Sequence, residues 1–215
     1  MRIILAGKAA SGKDYLRDML VKEGLKPDVS ATTRPMRDGE STGVDYHFIS
    51  DKQFEKARGL GKFYEAVAFN GWQYGTVLDS WNSSDVFIMT PSGIDQINEE
   101  DRLSSLIIYL DIPIEIRKSR LTERSDSDTV ERRISADEAD FKSFTDWDLT
   151  FSSGDFGEEV VAELMVKMLK SQLVGDLFPD METQQKIYEF KKKLNPAIED
   201  NPELDVDDDC VACGS

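Results

Sequence analysis

A chain of 215 residues, 40% of them hydrophobic, can bury a full core and is long enough for one domain with an appendage. Its formal net charge of −16 argues against general binding to DNA or RNA backbones, although one cleft can still gather positive charge for a small phosphorylated ligand. No apolar stretch approaches the ~20 residues that span a membrane, Gly7 and Lys8 interrupt the first apolar run as no signal peptide would, and Cys210 and Cys213 both lie near the C-terminus, so a soluble, cytoplasmic protein without a disulfide framework is expected.

The run Ile3–Ala6 predicts a buried strand, and Tyr15–Glu23 a helix. Between them stands Gly7-Lys8-Ala9-Ala10-Ser11-Gly12-Lys13-Asp14, with the G-x-x-x-x-G-K spacing of a phosphate-binding loop. Such a turn aims successive backbone N–H groups at phosphate oxygens, at a helix N-terminus, and adds one lysine as a mobile charge. The pattern normally ends in Ser or Thr, whose hydroxyl meets Mg²⁺; here the position is Asp14.

The segment Ala31–Trp81 breaks the strand–helix rhythm. It is rich in Gly, Tyr, Phe and Trp, and short alternating stretches such as Tyr46–Ile49 and Phe63–Val67 predict a small, partly β insertion. Further apolar runs at Val86–Met89, Leu106–Leu110 and Leu149–Phe151 predict buried strands. Helices are expected over Pro113–Thr122, over Thr129–Phe144 with a capping box from Asp128 to Glu131, and over Glu158–Leu173. Strands alternating with helices of this length imply an α/β fold with a largely parallel core sheet. From about Ser171 the composition shifts to a linker, an amphipathic helix over Glu182–Leu194 and an acidic tail read as disordered.

Arginines mark two places. Arg34 and Arg37 flank Pro35, and guanidinium forks on a fixed turn suit bidentate capture of a phosphate outside the phosphate loop. By composition alone a solvated basic loop is the simpler account. Arg117, Arg120 and Arg124 share one helical face by spacing, with Arg133 beyond the turn. His47 reads as structural, and Cys210-x-x-Cys213 is half a zinc site with no second pair.

Four ordered motifs then resemble the guanylate kinase family: Ser30–Glu40 matches S-x-T-T-R-x-x-R-x-G-E, Gly43–Phe48 matches G-x-D-Y-x-F, Gly61–Glu65 matches G-x-F-x-E, and Tyr74–Thr76 matches Y-G-T/S. The resemblance runs from about residue 1 to 170 and implies a P-loop three-layer α/β fold. Its core would comprise 1–30, 82–116 and 143–170, a nucleoside-monophosphate-binding part 31–81, and a lid 117–142, leaving 171–215 as an extension.

The activity implied is Mg²⁺-dependent phosphoryl transfer from ATP to GMP or dGMP by a monomer or homodimer, with no nucleic acid or membrane partner. Gly7, Ala10, Ser11, Gly12, Lys13 and Asp14 would hold ATP phosphates. Arg34, Arg37, Tyr46 and Tyr74 would hold the GMP phosphate, and Ser30, Glu65, Thr76 and Thr90 would face the base. Lys13, Arg120, Arg124 and Arg133 would act on the transferred group.

The chain departs from the family at three places. Asp14 replaces the hydroxyl. Ile88-Met89-Thr90 replaces a D-x-D pair, and Phe151–Asp155 matches the adenine-side N-D-D-L only loosely. A carboxylate lost at the strand end and regained at Asp14 would restore a metal ligand; Asp14 as a helix cap is the plainer alternative. Two other readings stay open: a kinase for another (deoxy)nucleoside monophosphate, and a non-catalytic interaction module of the same family.

Overall fold

The computed structural model describes residues 2–122 and 129–152 of the protein. The expected helix over 158–173, the extension 171–215 and Arg124 lie outside the described residues. In chain order the elements are β1 (Arg2–Gly7), α1 (Lys13–Lys22), β2 (Ala31–Thr32), β3 (His47–Phe48), α2 (Asp51–Gly59), β4 (Phe63–Phe69), β5 (Trp72–Val77) and α3 (Leu78–Trp81). They continue with β6 (Val86–Ile88), α4 (Pro91–Ile94), α5 (Glu99–Leu103), β7 (Ser105–Leu110), α6 (Ile114–Thr122), α7 (Val130–Asp140) and β8 (Leu149–Phe151).

The first sheet has order β6-β1-β7-β8 and every pairing in it is parallel. Parallel strands covered on both faces read as continuous apolar runs, and Ile3, Ile4, Leu5 and Ala6 are indeed wholly buried. In open sheets of this kind ligands gather beyond the carboxyl ends of the strands, which is where β1 delivers Gly7. The second sheet, β3-β2-β5-β4, is built within 31–81, with β2 parallel to β3 and antiparallel to β5, and β4 antiparallel to β5. The register of β4 on β5 shifts between Phe63 and Glu65, which brings Glu65 opposite Thr76.

One core cluster joins Ile4, Ala6, Trp81, Phe87, Met89, Ile94, Ile107, Tyr109, Phe141 and Phe144. It explains where the helix expected over 129–144 stops. The helical run ends at Asp140, because Phe141 and Phe144 turn inward onto Tyr109, each ring centroid 5.5 Å from it. The N-cap also differs from expectation: Thr129 itself accepts from Arg132 N–H, one residue after the position anticipated for the cap. Among the described residues no helix is long and apolar enough to cross a membrane.

Candidate active site

The loop Gly7–Lys13 turns tightly after β1. A Cβ on Gly7 would stand 2.5 Å from Ser11 Oγ and 3.0 Å from the Leu110 carbonyl, so only glycine fits. Gly12, the N-cap of α1, has φ 98°, the left-handed conformation that glycine adopts without a Cβ penalty. Inside the turn the buried Ser11 hydroxyl has no protein partner. Lys13 Nζ donates to the carbonyls of Gly7 (2.5 Å) and Lys8 (3.1 Å), holding the ammonium across the loop mouth.

Asp14 makes no cap hydrogen bond. It stands in the first turn of α1, where its charge suits the helix dipole, with Oδ1 3.5 Å from Arg17 Nη1. Arg17 is a residue that sequence reasoning passed over; its only signal was its i+3 spacing from Asp14. Both groups bear electrostatically on Tyr46. The first turn of the phosphate-loop helix and the arginine–tyrosine cluster therefore share one electrostatic site.

That cluster is tightly made. Arg34, 8% exposed, donates from Nη2 to Glu40 Oε1 (2.7 Å) and lies 5.5 Å over both the Tyr46 and Phe48 rings. Glu40 Oε2 accepts from Arg37 N–H at 2.8 Å, so one carboxylate ties both arginines of the turn together. The Tyr46 and Tyr74 rings meet edge to face at 6.0 Å. Burial, with Asp14 and Tyr74 nearby, pushes the Tyr46 hydroxyl up to about 12, so it keeps its proton and remains a donor at neutral pH.

On β4, separated from β2 by β5, stands a buried carboxylate. Glu65 is 6% exposed; its Oε1 accepts from Thr76 N–H (3.0 Å) and Thr76 Oγ1 (2.9 Å), and its Oε2 is buried with no partner. Oε2 faces the α4 turn, where a Cβ on Gly93 would stand 3.2 Å from it and 3.6 Å from Thr90 Oγ1. Thr90 itself is occupied locally, accepting from Gly93 N–H at 3.3 Å.

Burial pushes the Glu65 carboxyl up from its ordinary range, against the two Thr76 hydrogen bonds. A carboxyl raised by folding contributes stability below its unfolded value of ~4.3 that is lost as pH rises through the folded value. Glu65→Gln keeps the Oε1 acceptor and removes the uncompensated charge. It is expected to stabilise the protein at pH 7 by about 1 kcal/mol, with the gain vanishing near pH 4. Urea unfolding at both pH values checks this, and no gain at pH 7 would contradict it.

Helices α6 and α7 grip the phosphate loop from the other side. Arg120 Nη1 donates to the Ala10 carbonyl (3.1 Å), Lys8 Nζ donates to Glu138 (2.9 Å), and Asp137 Oδ2 accepts from Ala9 N–H (2.8 Å). Arg117, wholly buried, pairs with Asp137 and Glu138 instead of facing the loop with Arg120. A guanidinium buried at this depth calls for counter-ions, and the two acids of α7 supply them. Arg133 is also buried, on α7.

A phosphate loop at the carboxyl end of the central strand of a parallel sheet, beside a small second sheet, defines a P-loop nucleotide-binding fold. Comparison with known proteins narrows the class. A family model described as guanylate kinase matches residues 1–171, and the chain belongs to that family. It is 32% identical over 171 residues to a guanylate kinase of Idiomarina loihiensis, covering 74% of this chain and 81% of that protein. It is 31% identical over 186 residues to one of Streptomyces kasugaensis, covering 81% and 89%. In fold it is similar to the crystal structure of guanylate kinase from Anaplasma phagocytophilum, at TM-score 0.62 and 21% identity over 80% of this chain and 85% of that one.

Proposed function

We propose that the protein transfers the terminal phosphoryl group of ATP to GMP or dGMP, giving ADP and GDP or dGDP. The buried, unpartnered Glu65 Oε2 carries this reading. A dry acceptor calls for a donor, and the guanine edge supplies two, N1–H and the N2 amino group, where adenine presents an acceptor nitrogen. Arg34, Arg37, Tyr46 and Tyr74 would hold the acceptor's phosphate. Gly7, Ala10, Ser11 and Gly12 would cradle the donor's phosphates.

In the transfer an oxygen of the GMP phosphate bonds to the terminal phosphorus of ATP as the bond to ADP breaks. This chemistry asks for positioning and spread positive charge. Lys13, Arg120 and Arg133 would supply it, with Arg124 assigned by motif alone.

Mg²⁺ fits as a metal held by one carboxylate and the substrate phosphates. Asp14 is exposed enough to serve, and among the described residues no cluster of three acids, histidines or cysteines competes with it. When bound, the ion would neutralise charge between the terminal phosphates. The enzyme is read as cytoplasmic, acting on small molecules as a monomer or homodimer.

An ADP-release assay with ATP, Mg²⁺ and each ribo- and deoxyribonucleoside monophosphate tests the reading. Turnover with GMP or dGMP above all others is expected. Preference for AMP or dTMP would move the acceptor assignment, and no turnover at all would make the chain a binding module. In the same assay Asp14→Ser should shift the Mg²⁺ dependence; an unshifted curve would remove Asp14 from the metal.

A further inference from the structure

Asp28 precedes β2 by three residues and draws two hydroxyls to itself. Ser30 Oγ donates to its Oδ2 at 2.5 Å, and Ser80 Oγ, from α3, donates to its Oδ1 at 2.5 Å. Its own N–H donates to the Val86 carbonyl at 2.8 Å, which fixes the residue to the edge of the core sheet. Ser30 leads into β2, where Ala31 pairs with Gly75, the neighbour of the Thr76 that holds Glu65. Asp28 also bears electrostatically on Glu65.

A hydroxyl has one hydrogen. Once Ser30 gives its own to Asp28, Ser30 Oγ offers lone pairs alone. Thr76 is in the same position, having given its hydrogen to Glu65 Oε1. With Glu65 Oε2 unpartnered and 6% exposed, three oxygens of the pocket can only accept. A pocket of acceptors selects a base edge crowded with donors.

We propose that Asp28 is a specificity-determining positioning residue, which polarises Ser30 into an acceptor for the exocyclic amino group of guanine. The proposal rests on the reading of this pocket as the guanine site. It accounts for a guanine pocket that has Thr90 in place of an acid: the second carboxylate enters from the segment before β2 and acts through a serine. Asp28→Asn reverses the polarity. With its Oδ1 still accepting from Ser80, its Nδ2 takes the place of Oδ2 and donates to Ser30, whose hydrogen then points at the ligand and meets the amino group donor to donor.

The test compares the affinities of GMP and IMP, which differ by that amino group, by calorimetry on wild type, Asp28→Asn and Ser30→Ala. Wild type is expected to bind GMP more tightly. Asp28→Asn should lower GMP affinity about tenfold and leave IMP affinity within about twofold, the equivalent of one hydrogen bond. Ser30→Ala should lower the GMP-to-IMP ratio to a similar extent, and the double variant should lower it no further. An unchanged ratio in Asp28→Asn, or equal loss for both nucleotides, would overturn the proposal. So would a ratio that falls in Asp28→Asn but not in Ser30→Ala, since Asp28 would then not act through the serine. If wild type favours GMP over IMP in this titration yet forms no GDP from ATP, the kinase reading fails while the proposal is still decided by the ratio.

Discussion

Lys13→Met is expected to lower the rate of GMP phosphorylation by about 10²–10³-fold while changing GMP affinity by less than about twofold. The ammonium sits across the loop mouth on the carbonyls of Gly7 and Lys8, 2.5 and 3.1 Å away, poised to exchange those bonds for phosphate oxygens. Methionine keeps the stem and discards the charge and all three donors. The groups proposed for the acceptor side are held by other residues: Arg34 by Glu40, and Tyr46 by packing against Tyr74 and Phe48. Steady-state ADP release and calorimetric GMP titration on one preparation separate the two effects. A rate within about threefold of wild type would remove Lys13 from the transfer, and a parallel loss of GMP binding would mean that the substitution had collapsed the loop.

The phosphate loop was legible because its physics is local. A buried strand, two glycines at fixed spacing and a helix start specify the turn without help from distant residues. The parallel sheet followed for the same reason, from four apolar runs separated by helical lengths. What sequence alone left hidden depends on partners far apart in the chain. That Arg117 pairs with acids, apart from Arg120 and Arg124, could be expected, but which acids, Asp137 and Glu138 twenty and more residues away, only the fold shows. Asp28 stands only two residues before Ser30, but that its carboxylate draws in both Ser30 and Ser80, the latter brought in by α3, required the fold. Thr90 shows the converse. The missing acid was visible, but that the threonine caps α4, in the turn whose Gly93 leaves room for Glu65 Oε2, required the fold.

The largest expected effect on stability lies at the Arg117–Asp137 pair. Both side chains are almost fully buried, and the pair spans 3.4 Å. Burial pushes the Asp137 carboxyl up even though Ala9 N–H, Lys13, Arg117 and Lys8 all act the other way, so desolvation at this point is severe. Breaking such a pair costs more than the pair contributes, because one charge is left dry. Asp137→Leu leaves buried Arg117 with only the more exposed Glu138 of its two acids, leaves the Ala9 N–H that Asp137 accepts at 2.8 Å without its acceptor, and is expected to cost about 3–5 kcal/mol in urea unfolding. Arg117→Leu combined with Asp137→Leu should recover the part of that loss owed to the buried charge, since an apolar pair carries no desolvation cost, while the Ala9 N–H still lacks Asp137. The double variant then isolates what the ions do besides holding the fold together. Asp137 ties α7 to Ala9, Glu138 ties it to Lys8, and Arg120 ties α6 to Ala10, so three neighbouring loop residues are gripped by the two helices that carry the arginines proposed for the transfer, Arg120 and Arg133. If the pair positions those helices over the loop, a refolded, stable double variant should still lose about tenfold in rate with GMP affinity intact. A double variant as fast as wild type would leave the ion pair a structural feature alone.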